Sequence, residues 1–136
     1  MAAPLYADII LPLAVMGRFT YSVPAILAGD ISIGARVRVR FGRKNIYTAI
    51  VVDLHDRKPA VGEIRDIDEL IDMVPLVNSK QIRLWKWISD YYVCGEGEVM
   101  KAALPSGLTL DNYKPRTETF ISLAEAYDDA KLNRSE

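Results

Sequence analysis

The chain has 136 residues, half of them hydrophobic, with 17 basic and 18 acidic side chains and a formal net charge of −1. That length predicts one domain with a short appendage, and the balanced charge excludes a protein that attracts polyanions through its bulk charge. The single cysteine excludes an internal disulfide and any multi-cysteine zinc site, and the absence of a long apolar run or a signal-peptide pattern predicts a cytoplasmic protein with no membrane partner.

The N-terminal part is predicted to be rich in β-strands. Residues 6–13 have the pattern of a first strand, and residues 16–20 form a glycine-containing turn after it. Residues 21–24 predict a second, short extended segment that ends at a proline. Gly29 and Asp30 mark the next turn.

The sequence GARVRVRFGRK (residues 34–44) predicts a β-hairpin. In a strand, alternate side chains point to opposite faces, so Val37, Val39 and Phe41 are expected to enter the core. The apolar run that follows, residues 46–54, predicts the returning strand.

The opposite face and the tip of this hairpin carry concentrated positive charge. No acidic residue occurs between Asp30 and Asp53, so the neighbouring sequence offers these cations no partner. Such a cluster attracts polyanions, but charged residues on a strand also serve simply to prevent edge-to-edge aggregation, and the pattern alone does not decide between the two. The side chains concerned are Arg36, Arg38, Arg40, Arg43 and Lys44.

The later part of the chain predicts helices. Residues 64–71 fit either a helix or a bent strand, because isoleucines recur there at helical spacing in a β-rich context. Ser79 is predicted to be the N-cap of a helix that ends at Gly95 and Gly97, and residues 98–103 predict a second, short helix. The buried face of the first helix is expected to comprise Ile82, Trp85, Ile88, Tyr91 and Tyr92.

No catalytic or metal site is predicted. The chain lacks the G-x-x-x-x-G-K-[ST] phosphate loop, so no ATPase motor is expected within it. The GEGEVM stretch follows a helix, where a cap and turn are favoured over a dinucleotide site. His55 between two aspartates is interpreted as a surface residue rather than a metal ligand, and Cys94 as a buried residue rather than a nucleophile.

Four blocks in a fixed order resemble the N-terminal region of the PriA (primosomal protein N′) family of replication-restart helicases: ADIILPL, GRFTYSVP, GARVRVRFGRK with IYTAIVV after it, and LWKWISDYYVCGEGEVMKAALPSGL. The match spans about residues 5–108, and the spacing of the four blocks together makes it specific. The resemblance implies a mainly β, α+β fold over residues 1–108, a small β-barrel-like (OB-like) module with a helical end. Residues 109–136 would be a linker and the start of a winged-helix domain, with residues 119–123 as a further strand.

The same resemblance implies a function. In that family the domain holds the 3′-terminal nucleotide of the nascent leading strand at a stalled fork, within an ATP-dependent 3′-to-5′ DNA helicase. No cofactor is expected in this chain, because ATP, Mg²⁺ and zinc would belong to a motor region beyond residue 136. The implied partners are DNA with a free 3′ end and, for the full protein, other primosome proteins and single-stranded-DNA-binding protein.

The resemblance also implies a 3′-end pocket formed by Phe19, Thr20, Gly42 and Arg65. Phe19 offers a stacking plane for any base, Gly42 lets the backbone approach the ligand, and Arg65 can pair with phosphate or a base edge. Many relatives carry Asp in place of Thr20, whose neutral hydroxyl is a weaker acceptor, so discrimination between a 3′-hydroxyl and a 3′-phosphate is expected to depend more on backbone geometry. The DNA backbone would be held by Arg18, Arg36, Arg38, Arg40, Arg43 and Lys44.

Two other classes of function remain open. A protein-interaction module that adds a partner strand to its sheet would bind without a free DNA end and would tolerate moderate salt. A general single-strand binding barrel would be salt-sensitive without end specificity, and an RNA-binding barrel would prefer RNA through 2′-hydroxyl contacts.

Overall fold

The computed structural model describes residues 3–60, 62–108 and 117–122. Within them the strands form one antiparallel sheet in the order β2-β1-β4-β3-β5, followed in the chain by two helices. This architecture confirms the mainly β, α+β prediction with a helical C-terminal end. The elements are β1 (Leu5–Ile10), β2 (Phe19–Val23), β3 (Arg36–Phe41), β4 (Asn45–His55), β5 (Glu69–Leu70), α1 (Ser79–Tyr92) and α2 (Glu96–Ala103).

Residues 64–71, named the bridging segment below, connect the two edges of this open sheet. At one edge the amide of Ser22 on β2 donates to the carbonyl of Arg65 at 2.9 Å, and the carbonyl of Ser22 accepts from the amide of Ile67 at 3.0 Å. At the other edge the amide of Asp68 donates to a β3 carbonyl at 2.9 Å. The sheet therefore curls toward a barrel without closing, and the bridging segment is extended rather than helical.

Both faces of the sheet bury apolar side chains, and each face belongs to a different core. Ile9 lies in the interior of the curled sheet, among side chains of β2, β3 and β4. The next residue, Ile10, packs on the outer face against Trp85 of α1 and Met100 of α2. Because successive strand residues alternate between faces, two neighbouring isoleucines can fill two separate cores. The helices thus cover the outside of the barrel-like sheet and leave its open end free.

The helix boundaries differ from the predicted ones. Asn78, and not Ser79, is the N-cap of α1: its side chain accepts from the amide of Gln81 at 3.0 Å, and the Gln81 side chain accepts from the amide of Asn78 at 2.9 Å. This reciprocal capping box satisfies two amides that have no partner within the helix. At the other end Val93, with a φ of 53°, caps α1 in the left-handed conformation, so Gly97 is free to lie inside α2.

The predicted buried face of α1 is right for its first turns and wrong at its end. Trp85 is 3% exposed, whereas Tyr91 and Tyr92 are 66% and 70% exposed. Trp87 stacks on Tyr91 at the helix surface, with ring centroids 5.3 Å apart. The buried stripe runs instead through Ser89, whose hydroxyl donates to the Cys94 carbonyl, so the helix turns its last aromatic rings away from the sheet.

Most of the predicted linker, residues 109–116 and 123–136, lies outside the described residues, as does the boundary to a following domain. Residues 119–122 are described, are exposed and are not in a strand. None of the helices that the structure describes is long and apolar enough to cross a membrane.

Candidate nucleic-acid interface

A pocket of about 470 Å³ lies at the open end of the curled sheet. It brings together Phe19 and Thr20 of β2, Gly42 of the β3–β4 turn and Arg65 of the bridging segment. All four residues of the predicted 3′-end pocket therefore meet around one cavity of a size typical of small-ligand sites. The remaining lining residues are Arg18, Tyr21, Phe41, Pro59, Gly62, Glu63 and Ile64.

Aromatic side chains form the apolar floor of the pocket. Phe19 and Phe41 contact each other edge to face, with centroids 4.9 Å apart, and both pack against the interior core. Tyr21 beside them is buried, and its hydroxyl donates to the Arg40 carbonyl at 2.6 Å. Burial raises the pKa of Tyr21 above its ordinary value, so this hydroxyl stays protonated and keeps its hydrogen bond. The floor is thus held by ring packing and a hydrogen bond, and the Phe19 ring of β2 is partly exposed.

Gly42 and Arg65 form a polar edge of the pocket. Gly42 has a φ of 76°, a left-handed conformation that favours glycine, and the space where a Cβ would project is open. The Arg65 guanidinium donates from Nη1 to the Gly42 carbonyl at 2.6 Å. This bond ties the bridging segment to the hairpin turn and leaves the other donors of the exposed guanidinium available.

Thr20 lines the pocket, but its hydroxyl is engaged elsewhere. Thr20 pairs with Asp8 across β1 and β2, and its Oγ1 donates to Asp8 Oδ1 at 2.6 Å. The same carboxylate oxygen lies 3.0 Å from His55 Nε2. The hydroxyl of Thr20 therefore has no hydrogen left to donate and retains only its acceptor capacity.

Among the described residues no three histidine, cysteine, aspartate or glutamate side chains are grouped to hold a metal.

The arginine stripe of β3 is not the unneutralised patch that the sequence predicts. Each of its three arginines forms an ion pair with an acidic residue that follows β4 by more than ten positions. Those acidic residues lie in or just after the bridging segment, which runs alongside β3. The stripe thus helps to attach the end of the bridging segment to the sheet. The pairs are Arg36–Asp72 at 2.8 Å, Arg38–Glu69 at 2.7 Å and Arg40–Asp68 at 3.2 Å.

Arg36 is the least available of the three for DNA. Its side chain is only 12% exposed, and its Nη1 donates to the Leu108 carbonyl at 2.9 Å. The hydrogen bonds with Asp72 raise the pKa of the guanidinium further above its ordinary value. A partly buried arginine with every donor group engaged is a structural residue, so the predicted backbone-binding role does not fit Arg36.

Arg18 lies at the pocket rim and is also paired. Its Nε and Nη2 donate to the two carboxylate oxygens of Glu96 at 3.0 and 3.1 Å. Glu96 is 5% exposed in the first turn of α2, so this bidentate pair joins the rim of the pocket to the helical layer.

Within the described part of the chain, Arg43 and Lys44 at the hairpin tip are exposed and have no acidic partner. Of the cations on the β3–β4 hairpin, those at the tip are therefore the ones left available to a polyanion.

Several lining residues were not predicted from the sequence. Phe41 was assigned to the core, although the same alternation that directs Val39 inward places Phe41 at the last inward position of β3, where the core opens. Pro59 and Glu63 belong to the long connection after β4, which has no periodic pattern that would indicate its path. No local signal identifies them, because they reach the pocket only when the bridging segment pairs with β2.

Comparisons with known proteins find a matching family and several similar proteins. Residues 8–105, well over half of the chain, match the family described as "3′DNA-binding domain (3′BD)" of PriA. The chain is similar to the replication restart protein PriA of Treponema pallidum (strain Nichols), with 29% identity over 92 residues, and of Bacillus subtilis (strain 168), with 26% over 110 residues. It is also similar to PriA of Rickettsia conorii (strain Malish 7), with 33% identity over 102 residues.

These alignments cover 65%, 81% and 73% of the chain but only 14%, 13% and 15% of the respective relatives. The chain therefore spans about one seventh of their length. The matched region begins within β1 and includes the other four strands and both helices, and it contains the pocket-lining residues. By its sequence match and its fold, the chain belongs to the 3′-DNA-binding domain family of the replication restart protein PriA.

Proposed function

We propose that the pocket captures the 3′-terminal nucleotide of a DNA strand, and that at a stalled fork this strand is the nascent leading strand. The observation that carries the proposal is the convergence of an aromatic floor, an open glycine backbone and an arginine from three separate segments of the chain. A cavity closed on one side by the sheet admits a strand end more readily than a continuous strand. The terminal nucleotide would thus be selected by shape.

Each part of the pocket has a chemical role in this proposal. Phe19 contacts the terminal base through its ring face or edge, which tolerates any base. The exposed backbone of Gly42 contacts the sugar, and Arg65 contacts the phosphate on its 5′ side. Arg43 and Lys44 at the hairpin tip hold the preceding phosphates by charge alone. Binding would therefore be independent of the DNA sequence and would require a 3′ end.

The activity of a longer protein is part of the same proposal. The chain would orient an ATP-dependent 3′-to-5′ helicase at the fork, and ATP, Mg²⁺ and zinc would be held outside residues 1–136. Other primosome proteins and single-stranded-DNA-binding protein would be partners of the whole protein in the cytoplasm. This part of the proposal rests on the family membership of the chain.

Fluorescence anisotropy with short labelled single strands tests the proposal. We expect the chain to bind a strand with a free 3′ end about tenfold more tightly than one with a blocked 3′ end. Phe19→Ala is expected to remove this preference and to weaken binding of the free end by about 1–3 kcal/mol, the usual contribution of one stacked base. Phe120→Ala makes the same chemical change at a ring that is 84% exposed and outside the pocket, and should leave binding unchanged.

Equal binding of free and blocked ends would contradict end capture and would leave a general single-strand binder. A preference for RNA of the same sequence would favour an RNA-binding barrel. Thermal unfolding of Phe19→Ala must accompany the binding data, because the Phe19 ring also packs against Phe41.

The neutralised stripe leads to a second prediction. The double variant Arg43→Ala/Lys44→Ala should weaken DNA binding and lower the slope of log K against log salt by about 1.4, the value for two lost contacts with a single strand. Lys80→Ala/Arg83→Ala removes the same charge from exposed positions on α1 that do not line the pocket, and should change the slope little. Equal changes in both double variants would indicate a response to net charge, with no defined contacts at the hairpin tip.

A further inference from the structure

The net charge of the pocket depends on which of its charged side chains are already paired with another residue. Arg18 is neutralised by its bidentate pair with Glu96, so it contributes little net charge to the cavity. Arg65 remains as a cation whose only hydrogen bond among the described residues goes to a neutral carbonyl. Among the described residues that line the pocket, Glu63 is the single acidic one. The electrostatic character of the cavity therefore depends on Arg65 and Glu63.

Glu63 is the acidic residue that both lines the pocket and has a carboxylate available to a ligand. It is exposed, and it makes no hydrogen bond or ion pair within the part of the chain that the structure describes. Asp8, by contrast, accepts a hydrogen bond from Thr20 and contacts His55, and Asp68 pairs with Arg40. A ligand in the pocket thus meets one free carboxylate, that of Glu63.

A strand end with a free hydroxyl and one with a phosphate differ in two properties that a carboxylate senses. The 3′-hydroxyl is neutral and can donate a hydrogen bond to a carboxylate oxygen, which is a strong, charge-assisted bond. A terminal phosphate monoester carries a charge of about −1.5 to −2 at neutral pH, so a nearby carboxylate repels it. Arg65 acting alone would have the opposite preference, because a guanidinium attracts the additional phosphate.

We propose that Glu63 is the specificity-determining residue that makes the pocket select a free 3′-hydroxyl over a 3′-phosphate. It accepts from the hydroxyl, and it offsets the attraction that Arg65 exerts on a terminal phosphate. Thr20 can also accept from the 3′-hydroxyl, since its own hydrogen is donated to Asp8, but its neutral oxygen forms a weaker bond than a carboxylate and does not repel a terminal phosphate. The inference rests on the proposed function, since it assigns a role within the same pocket. It differs from the sequence-based expectation that the discrimination depends more on backbone geometry, because it gives the main role to a side chain.

Binding of three strands of one sequence tests the inference. They end in a 3′-hydroxyl, a 3′-phosphate or a 2′,3′-dideoxy nucleotide, which lacks the hydroxyl without adding charge. In the wild-type chain we expect the order hydroxyl, then dideoxy, then phosphate. In Glu63→Gln the affinity for the 3′-phosphate strand should rise about tenfold, the effect of removing one negative charge about 6 Å from a phosphate in a water-like dielectric. The hydroxyl and dideoxy strands should then bind more nearly alike.

Two further variants serve as controls. Asp56→Asn removes the same charge from an exposed residue of the same connection that does not line the pocket, so it should leave the ratio between the three strands unchanged. Glu63→Asp keeps the charge and should retain the preference for the hydroxyl over the phosphate. A ratio that responds to Glu63→Gln alone is the result that supports the inference.

The outcomes separate this inference from the proposed function. If the wild-type chain prefers the free 3′-hydroxyl and Glu63→Gln keeps the same ratio, the role of Glu63 is wrong while end capture stands. If Asp56→Asn shifts the ratio as strongly as Glu63→Gln, the effect is one of net charge and the inference is also wrong. If the wild-type chain binds all three strands equally, and Phe19→Ala changes nothing, both the inference and the proposed function are wrong.

Discussion

Replacing Gly34 with alanine is expected to lower the free energy of unfolding by about 3 kcal/mol or more. Gly34 has a φ of 93°, and a Cβ at this position would lie 1.9 Å from the carbonyl oxygen of Val77. Its own amide donates to the Val51 carbonyl at 2.7 Å, and its carbonyl accepts from the Leu76 amide at 3.0 Å. The backbone that would have to move therefore connects β4 to the segment that leads into α1.

Urea unfolding of Gly34→Ala measures this loss of stability. The urea concentration at the midpoint should fall, while the slope of the unfolding free energy against urea concentration should stay unchanged. Gly17→Ala is the matched control, because Gly17 has a φ of 91° but nothing lies within 4 Å of its Cβ position. In Gly17→Ala the free energy of unfolding should fall only by the cost of placing alanine in the left-handed conformation, about 1–2 kcal/mol. If the two variants lose the same stability, the close approach of Gly34 to Val77 does not contribute and the packing argument is wrong.

Asp72→Asn is expected to destabilise the domain by about 2–4 kcal/mol, because it leaves a mostly buried guanidinium without its counter-charge. Asp72 accepts from three groups of Arg36: the backbone amide at 3.1 Å, Nε at 2.8 Å and Nη2 at 2.9 Å. Asp90→Asn is the control, because Asp90 forms an ion pair with Lys86 on the surface of α1, and the Asp90 side chain is 63% exposed. Ion pairs of this exposed kind contribute at most about 1 kcal/mol. Comparable losses in both variants would contradict a special role for the Arg36–Asp72 pair.

The same pair predicts a pH dependence. Burial by itself raises the pKa of Asp72, but the hydrogen bonds and the charge of Arg36 more than offset it, so that the pKa lies below its ordinary value of 3.8. A carboxyl with a lowered pKa stabilises the fold fully above its unfolded-state pKa and loses that contribution as the pH falls through its folded-state pKa. The difference in stability between wild type and Asp72→Asn should therefore be constant near neutral pH and shrink below about pH 4.

Chemical unfolding of both proteins between about pH 7 and about pH 3 measures this difference. Other carboxyl groups titrate in the same range, but they are common to both proteins and largely cancel. A difference that stays constant to the lowest accessible pH would mean that the Asp72 carboxylate does not lose its stabilising contact on protonation.

The sequence by itself determined the elements whose signals are local. The β3–β4 hairpin was predicted because Val37 and Val39 alternate with arginines, a period that only a strand directs to one face. The first helix was predicted from its apolar spacing, although its N-cap was placed one residue late, at Ser79 instead of Asn78. The pocket residues Phe19 and Gly42 came from the ordered blocks of the family resemblance, and no periodic pattern marks them as a site.

Only the tertiary structure decided which charges are free. The arginines of β3 have no acidic neighbour in the sequence, yet the bridging segment brings Asp68 and Asp72 beside them from about 30 positions away. Arg18 and Glu96 are separated by 78 positions and still form a bidentate pair. A side chain's charge partner depends on how strands pair and how the sheet curls, and these are long-range contacts that no window of sequence contains. The same curling leaves Arg65 and Glu63 facing one cavity, which is why the character of the pocket follows from the fold and not from the arginine stripe.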